Sequence, residues 1–164
     1  METIVFFFFA LVSVAAALLV ITRRNPIHSA LWLILCFFSL AAIYVLLSAH
    51  FIAIIQIMIY VGAIMVLVLF VIMLLNLSDE ELGGAKRTVL KFFGVILSGA
   101  FMVLLANGVK MLAPQTAVSV AEEFGTAAMV GKLLFTDYLL PFEIASVLLL
   151  TAMIGAVVLA KRRQ

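Results

Sequence analysis

Charge is what this 164-residue chain has least of: Asp, Glu, Lys and Arg make up 11% of it, against a hydrophobic share of 68% and a mean hydropathy of +1.39. Soluble domains average about 45–50% apolar and about 25% charged residues. The deficit excludes a water-soluble globular domain, because no interior built from so short a chain could hide that much apolar surface. The surrounding medium has to be lipid. Cysteine is nearly missing as well: Cys36 is the only one and lies in the apolar run Leu33–Leu40, so it reads as a small buried hydrophobe and excludes a disulfide framework. There is no phosphate-binding glycine loop, no Cys or His pair at metal spacing, and no nucleophile with a base and orienter, so no catalytic, cofactor or metal site is expected in the chain. The start, Met1-Glu2-Thr3, has no positive region ahead of its apolar segment, so that segment is expected to stay as an anchor. The net charge of +2 comes from short basic clusters at segment ends, a topology signal and not a nucleic-acid footprint.

What is present is long apolar runs. A helix needs about 20 apolar residues to cross the hydrocarbon core. Thr3–Thr22 supplies one run, closed by Arg23-Arg24, and Asn25-Pro26 then offers a cap and a first helical residue. Between Asn25 and Ser78 there is no Asp, Glu, Lys or Arg, a stretch too long for one span and right for two. The reversal is placed near Ser48-Ala49-His50 by length alone, since neither Gly nor Pro marks it. The reading is an all-α integral membrane protein, one membrane domain over 1–164, with five transmembrane helices at about 3–22, 28–48, 51–76, 89–109 and 139–160. The half-polar stretch with Pro114, Glu122, Glu123, Lys132 and Asp137 is read as a loop with an interfacial helix at about 121–134. Arg23, Arg24, Lys86, Arg87, Lys91, Lys161, Arg162 and Arg163 then fall on one side, and Lys110 and Lys132 on the other. The positive-inside rule therefore puts the N-terminus outside and the C-terminus in the cytoplasm.

The deep parts of the spans carry no charge. His28 and His50 sit near helix ends as interfacial polar residues. Glu143 lies two residues after Pro141, in the first turn of the last span, where the helix dipole favours an acid; a proton site is the other reading. The informative segment is the third span, "QIMIYVGAIMVLVLFVIMLLN" at 56–76. A glycine inside a helix costs roughly 1 kcal/mol relative to alanine, yet Gly62 stands in a run of bulky apolar residues. Gln56, Tyr60 and Ala63 follow the spacing of one α-helical face, with Gly62 beside it. Two readings stay open: close helix packing over small residues, or a weak point where a π-bulge forms.

"QIMIYVGAIMVLVLFVIMLLNL", with "NPIHSALWLIL" upstream and "LLFTDYLLPFEIASVLLLTAMIGAVVLAKR" at the end, resembles the chain J family of bacterial NADH:quinone oxidoreductase (respiratory complex I), counterpart of mitochondrial NADH dehydrogenase subunit 6. The resemblance covers the first three spans and the last. It implies a non-catalytic subunit of a proton-pumping enzyme in the bacterial inner membrane, an obligate hetero-oligomer beside chains A, H and K and the antiporter-like chain N. NADH, FMN, iron–sulfur clusters and quinone would be bound by other subunits. It further implies a third helix that converts between α and π-bulged forms around Tyr60, Gly62, Ala63 and Met65 and gates a water path. Gln56 and Glu143 are the polar candidates for that path. Some family members have Glu where this chain has Gln56, and an amide supports a water chain without holding a proton as an ionised acid does. Related hydrogenases, F420H2- or ferredoxin-dependent dehydrogenases and multi-subunit cation/proton antiporters share the pattern. An independent small transporter is the reading from another class, and the absence of deep charges argues against it.

Overall fold

The computed structural model of the chain describes residues 1–75, 88–112 and 124–161. Among them all regular structure is helical: α1 (Glu2–Thr22), α2 (Pro26–Leu46), α3 (His50–Leu75), α4 (Thr88–Leu112), α5 (Ala127–Phe135) and α6 (Leu139–Ala160). Four of these, α1, α2, α3 and α6, are long and apolar enough to cross a membrane. In α4 the apolar stretch Ile96–Gly108 is shorter. Lys86, Arg87, Arg162 and Arg163, four of the ten basic residues used to orient the chain, lie outside the described residues, as do 121–123 of the anticipated interfacial helix.

Helix ends follow local chemistry. Asn25 Oδ1 accepts from the backbone N–H of Ile27 at 2.9 Å and of His28 at 3.4 Å, and Pro26 takes the first helical position, where its missing N–H is not needed. α2 therefore starts at Pro26, a little before the anticipated 28. It ends at Leu46 in a Schellman motif: Ala49 N–H donates to Tyr44 O (2.9 Å) and Ser48 N–H to Val45 O (3.0 Å). The left-handed residue of that motif is Ser48, at φ +60°, where glycine is usual. This is why the turn was silent in the sequence.

α1 and α2 form a hairpin over the link Arg23–Asn25 and pack along their length. The residues buried in these two helices are small: Ala16 in α1, and Ala30, Cys36, Ser39 and Ala41 in α2. Ser13 Oγ and Cys36 Sγ lie 3.5 Å apart, and the Ser29 hydroxyl donates to the Val20 carbonyl. With lipid as solvent there is no hydrophobic force to bring helices together, so close backbone approach over small residues and hydrogen bonds of this kind carry the association.

α3 packs on α2, α5 touches only the His50 end of α3 and the start of α6, and α6 touches only α5 among the described residues. No other described helix packs on α4. Gly125 (φ +72°) turns the chain into Thr126, whose hydroxyl accepts from Met129 N–H at 3.3 Å and starts α5 at Ala127. The turn Thr136–Tyr138 and an edge-to-face contact of Phe135 with Phe142 (centroids 5.1 Å apart) join α5 to α6.

Candidate functional site

α3 has three parts. His50–Ile55 is α-helical, Gln56–Met65 is π-helical, and Val66–Leu75 is α-helical again. The residues at the joints, Ile55, Gln56 and Val66, all keep right-handed helical dihedrals, so the change of hydrogen-bond register needs no kink. A π-helix closes its backbone bonds one residue further along than an α-helix and is rare outside functional segments.

Burial along α3 shows the consequence. Gln56 and Met65 are buried, at 7% and 5% exposure, and Val61 between them is half-buried. Their spacings are five and four residues. At 100° per residue the nine steps from Gln56 to Met65 make 900°, which would put the two on opposite faces. At roughly 4.4 residues per turn they make about two turns and return to the same face. α2 is the only described helix beside the π-helical stretch other than the rest of α3 itself, so this face is turned to α2. The set Gln56, Tyr60 and Ala63, which shares a face in an α-helix, is split: Gln56 is buried, whereas Tyr60 and Ala63 are exposed. The tyrosine ring stays attached to α2 through an edge-to-face contact with Phe37, centroids 5.4 Å apart.

Gly62 is exposed, and a Cβ placed on it would meet only the carbonyl oxygen of Ile57, at an ordinary 3.5 Å. Among the described residues no atom of another helix lies within 4 Å of that Cβ, so packing against a described helix does not explain this glycine. Met65 is buried while its neighbour Val66 is 60% exposed.

Gln56 is the polar element. Its amide makes no hydrogen bond to a described residue, yet no buried side-chain nitrogen or oxygen is sealed off without a partner, so the amide keeps an opening to its surroundings. Glu143 is elsewhere. It is the fifth residue of α6, past the first turn, because α6 starts at Leu139, and it is exposed. The dipole contribution fades beyond the first turn, so the first-turn explanation for this acid is weakened. α6 does not touch α3, so Gln56 and Glu143 are not brought together within this chain. Sequence reasoning missed Val61 and Phe37, since both follow from the π spacing and from the way α2 lies on α3.

The sequence pattern of NADH-ubiquinone/plastoquinone oxidoreductase chain 6 matches residues 16–159. The chain is 38% identical to NADH-quinone oxidoreductase subunit J of Rhodobacter capsulatus, over 97% of its own length and 81% of that protein. It is 38% identical to NAD(P)H-quinone oxidoreductase chain 6 of Synechocystis, over 98% and 81%. F(420)H(2) dehydrogenase subunit J of Methanosarcina mazei is 36% identical, over 98% of this chain and 92% of that one.

Proposed function

This chain belongs to the NADH-ubiquinone/plastoquinone oxidoreductase chain 6 family, and from that premise we propose that it couples quinone reduction to ion translocation through a switch in α3. It is a membrane protein and a subunit of a multi-subunit redox enzyme. The proposed role is that of a moving part with no redox centre of its own, with FMN, iron–sulfur clusters, NADH and quinone on other subunits, and with chains A, H, K and N as neighbours in a bacterial inner membrane.

The observation that carries the reading is the π-helical stretch Gln56–Met65 around Tyr60 and Gly62. Returning it to α register takes the nine steps from Gln56 to Met65 from about two turns to about two and a half, which turns the two halves of α3 by roughly half a turn relative to each other. In α register Tyr60 and Ala63, four and seven residues after Gln56, would take the face that Val61 and Met65 hold in π register. Two turns along that face the small Ala63 would replace Met65, leaving room for water there. The exposed Gly62 and the amide of Gln56 fit this exchange. Glu143, exposed on a span in lipid, has to meet a hydrated crevice or a neighbouring subunit, because an ion facing hydrocarbon is expensive.

Five crossings are part of the proposal. Residues 125–126 lie against the Ser48–His50 reversal at one end of α3, and the chain leaves α3 at the other end. The chain must therefore return between these two points. α4, 25 residues and about 37 Å long, is the helix available to do it.

Gly62→Val in the assembled complex tests the switch. A β-branched residue at this position hinders the backbone change, so ions moved per electron pair should drop at least several-fold while NADH oxidation with an artificial acceptor is kept. A variant that assembles and pumps normally sinks the reading. The similarity to the F(420)H(2) dehydrogenase subunit supports a second reading in which the electron donor differs and the part played by α3 is the same.

A further inference from the structure

The start of α3 lacks a cap of its own. Its N-cap residue is Ala49, which has no side-chain acceptor, in a helix whose first amides point along the axis without intrahelical partners. One of them is satisfied from a distant part of the chain: Phe51 N–H donates to the carbonyl oxygen of Gly125 at 2.9 Å. The approach is as close as backbones allow. A Cβ on Gly125 would overlap the Ser48 carbonyl oxygen and lie 3.0 Å from Ala49 Cα, and Gly125 also has φ +72°. On the other side of the contact Ser48 holds φ +60°, a left-handed conformation that L-residues other than Asn and Asp rarely adopt. Two left-handed residues, 77 positions apart, thus meet back to back.

We propose that Gly125 is a positioning residue: its carbonyl caps α3 in trans, and its clasp with Ser48 anchors the His50 end of α3 so that a change of register in the π-helical stretch turns the Val66–Leu75 half. Four observations converge on this. The amide of Phe51 has no local cap, the Gly125 carbonyl supplies one, no other residue type fits position 125, and α5 touches no part of α3 beyond its first segment. The far half has no backbone clasp of this kind among the described residues: Val66–Leu75 packs on α2 alone outside α3 and contains no buried side chain, while the first segment buries Ala53. The proposal rests on the switching role of α3 and adds which end stays still.

Hydrogen exchange on the assembled complex tests it. Gly125→Ala should raise exchange in the peptide covering 49–55 at least tenfold and leave α1 and α2 unchanged. Gly131→Ala, where an added Cβ meets nothing within 4 Å, should change neither. Ala49→Ser combined with Gly125→Ala supplies a side-chain cap and should restore most of the lost protection. Unchanged exchange at 49–55 in Gly125→Ala, or an equal rise throughout α1–α3, overturns the clasp. The unmodified complex gives an independent check: during turnover with donor and quinone, protection of 49–55 should hold constant, and a change there overturns the anchor. Constant protection of 66–75 during turnover would sink the switching role instead and leave the Gly125 cap standing.

Discussion

α2 and α6 are close to interchangeable as sequences: 21 and 22 residues, equally apolar, each with a proline in its first turn. Inside the fold they are opposites. α2 buries Ala30, Cys36, Ser39 and Ala41 between α1 and α3, while α6 buries nothing and leaves Leu148, Val157 and Leu159 at 67%, 69% and 88% exposure. Apolarity therefore says only that both helices live in lipid. What separates them is whether small residues meet a surface that fits. α6 has such residues too, Ala145, Ala152, Gly155 and Ala156, but a Cβ added to Gly155 meets nothing within 4 Å. No surface among the described residues covers them.

Substitutions can break this contrast, and the largest effect is expected in the α1–α2 seam. Ala16, 1% exposed, is the most deeply buried residue of that seam, so Ala16→Leu should destabilise the hairpin by about 3 kcal/mol. Limited proteolysis in membranes should show faster cleavage. Ala152→Leu on α6 should leave α1–α3 as protected as before and act only on incorporation into the complex. Equal damage from both would dissolve the distinction. Within α3, Met65→Ala should cost about 2 kcal/mol of packing, and Val66→Ala, at a 60% exposed site, little. Thermal unfolding of the detergent-solubilised complex reads this directly, and a larger cost at Leu67 than at Met65 would mean that α register prevails there.

The smaller effects concern helix ends. Asn25→Ala removes the acceptor for two amides of α2 and should cost about 1 kcal/mol, whereas the N-cap of α6, Tyr138, makes no side-chain cap bond and should tolerate Tyr138→Phe without loss. Ser48→Gly should stabilise the α2–α3 reversal by something below about 1 kcal/mol, since it relieves a left-handed serine at the price of a more flexible unfolded chain. A destabilising Ser48→Gly would mean that the serine side chain has a task of its own.

Much of this was legible in the letters. The run free of Asp, Glu, Lys and Arg from Asn25 to Ser78 required two helices, and Asn25-Pro26 announced the start of the first with a chemistry that the structure uses. The Tyr60–Gly62 segment, for which the residues left packing and a π-bulge both open, lies in the π-helical part of α3. Other features were hidden for identifiable reasons. Ser48 does a glycine's work, so the reversal had no composition signal. Gly125 fell inside the interfacial helix anticipated at 121–134, whereas it precedes the helix in a left-handed turn; the need for it comes from a backbone 77 positions away. The face of α3 was drawn with α periodicity, and one step of altered register moves Val61 and Met65 into the places that Tyr60 and Ala63 were expected to hold.

Composition and spacing alone determined the medium, the helical class and the approximate position of the spans, because each backbone polar group in lipid must be satisfied within its own segment and helices do this locally. Which helices pair, which side of α3 meets α2, and what caps its first turn were decided only in three dimensions. Those outcomes depend on the fit between surfaces and on a hydrogen-bond register, and neither is carried by how apolar a residue is.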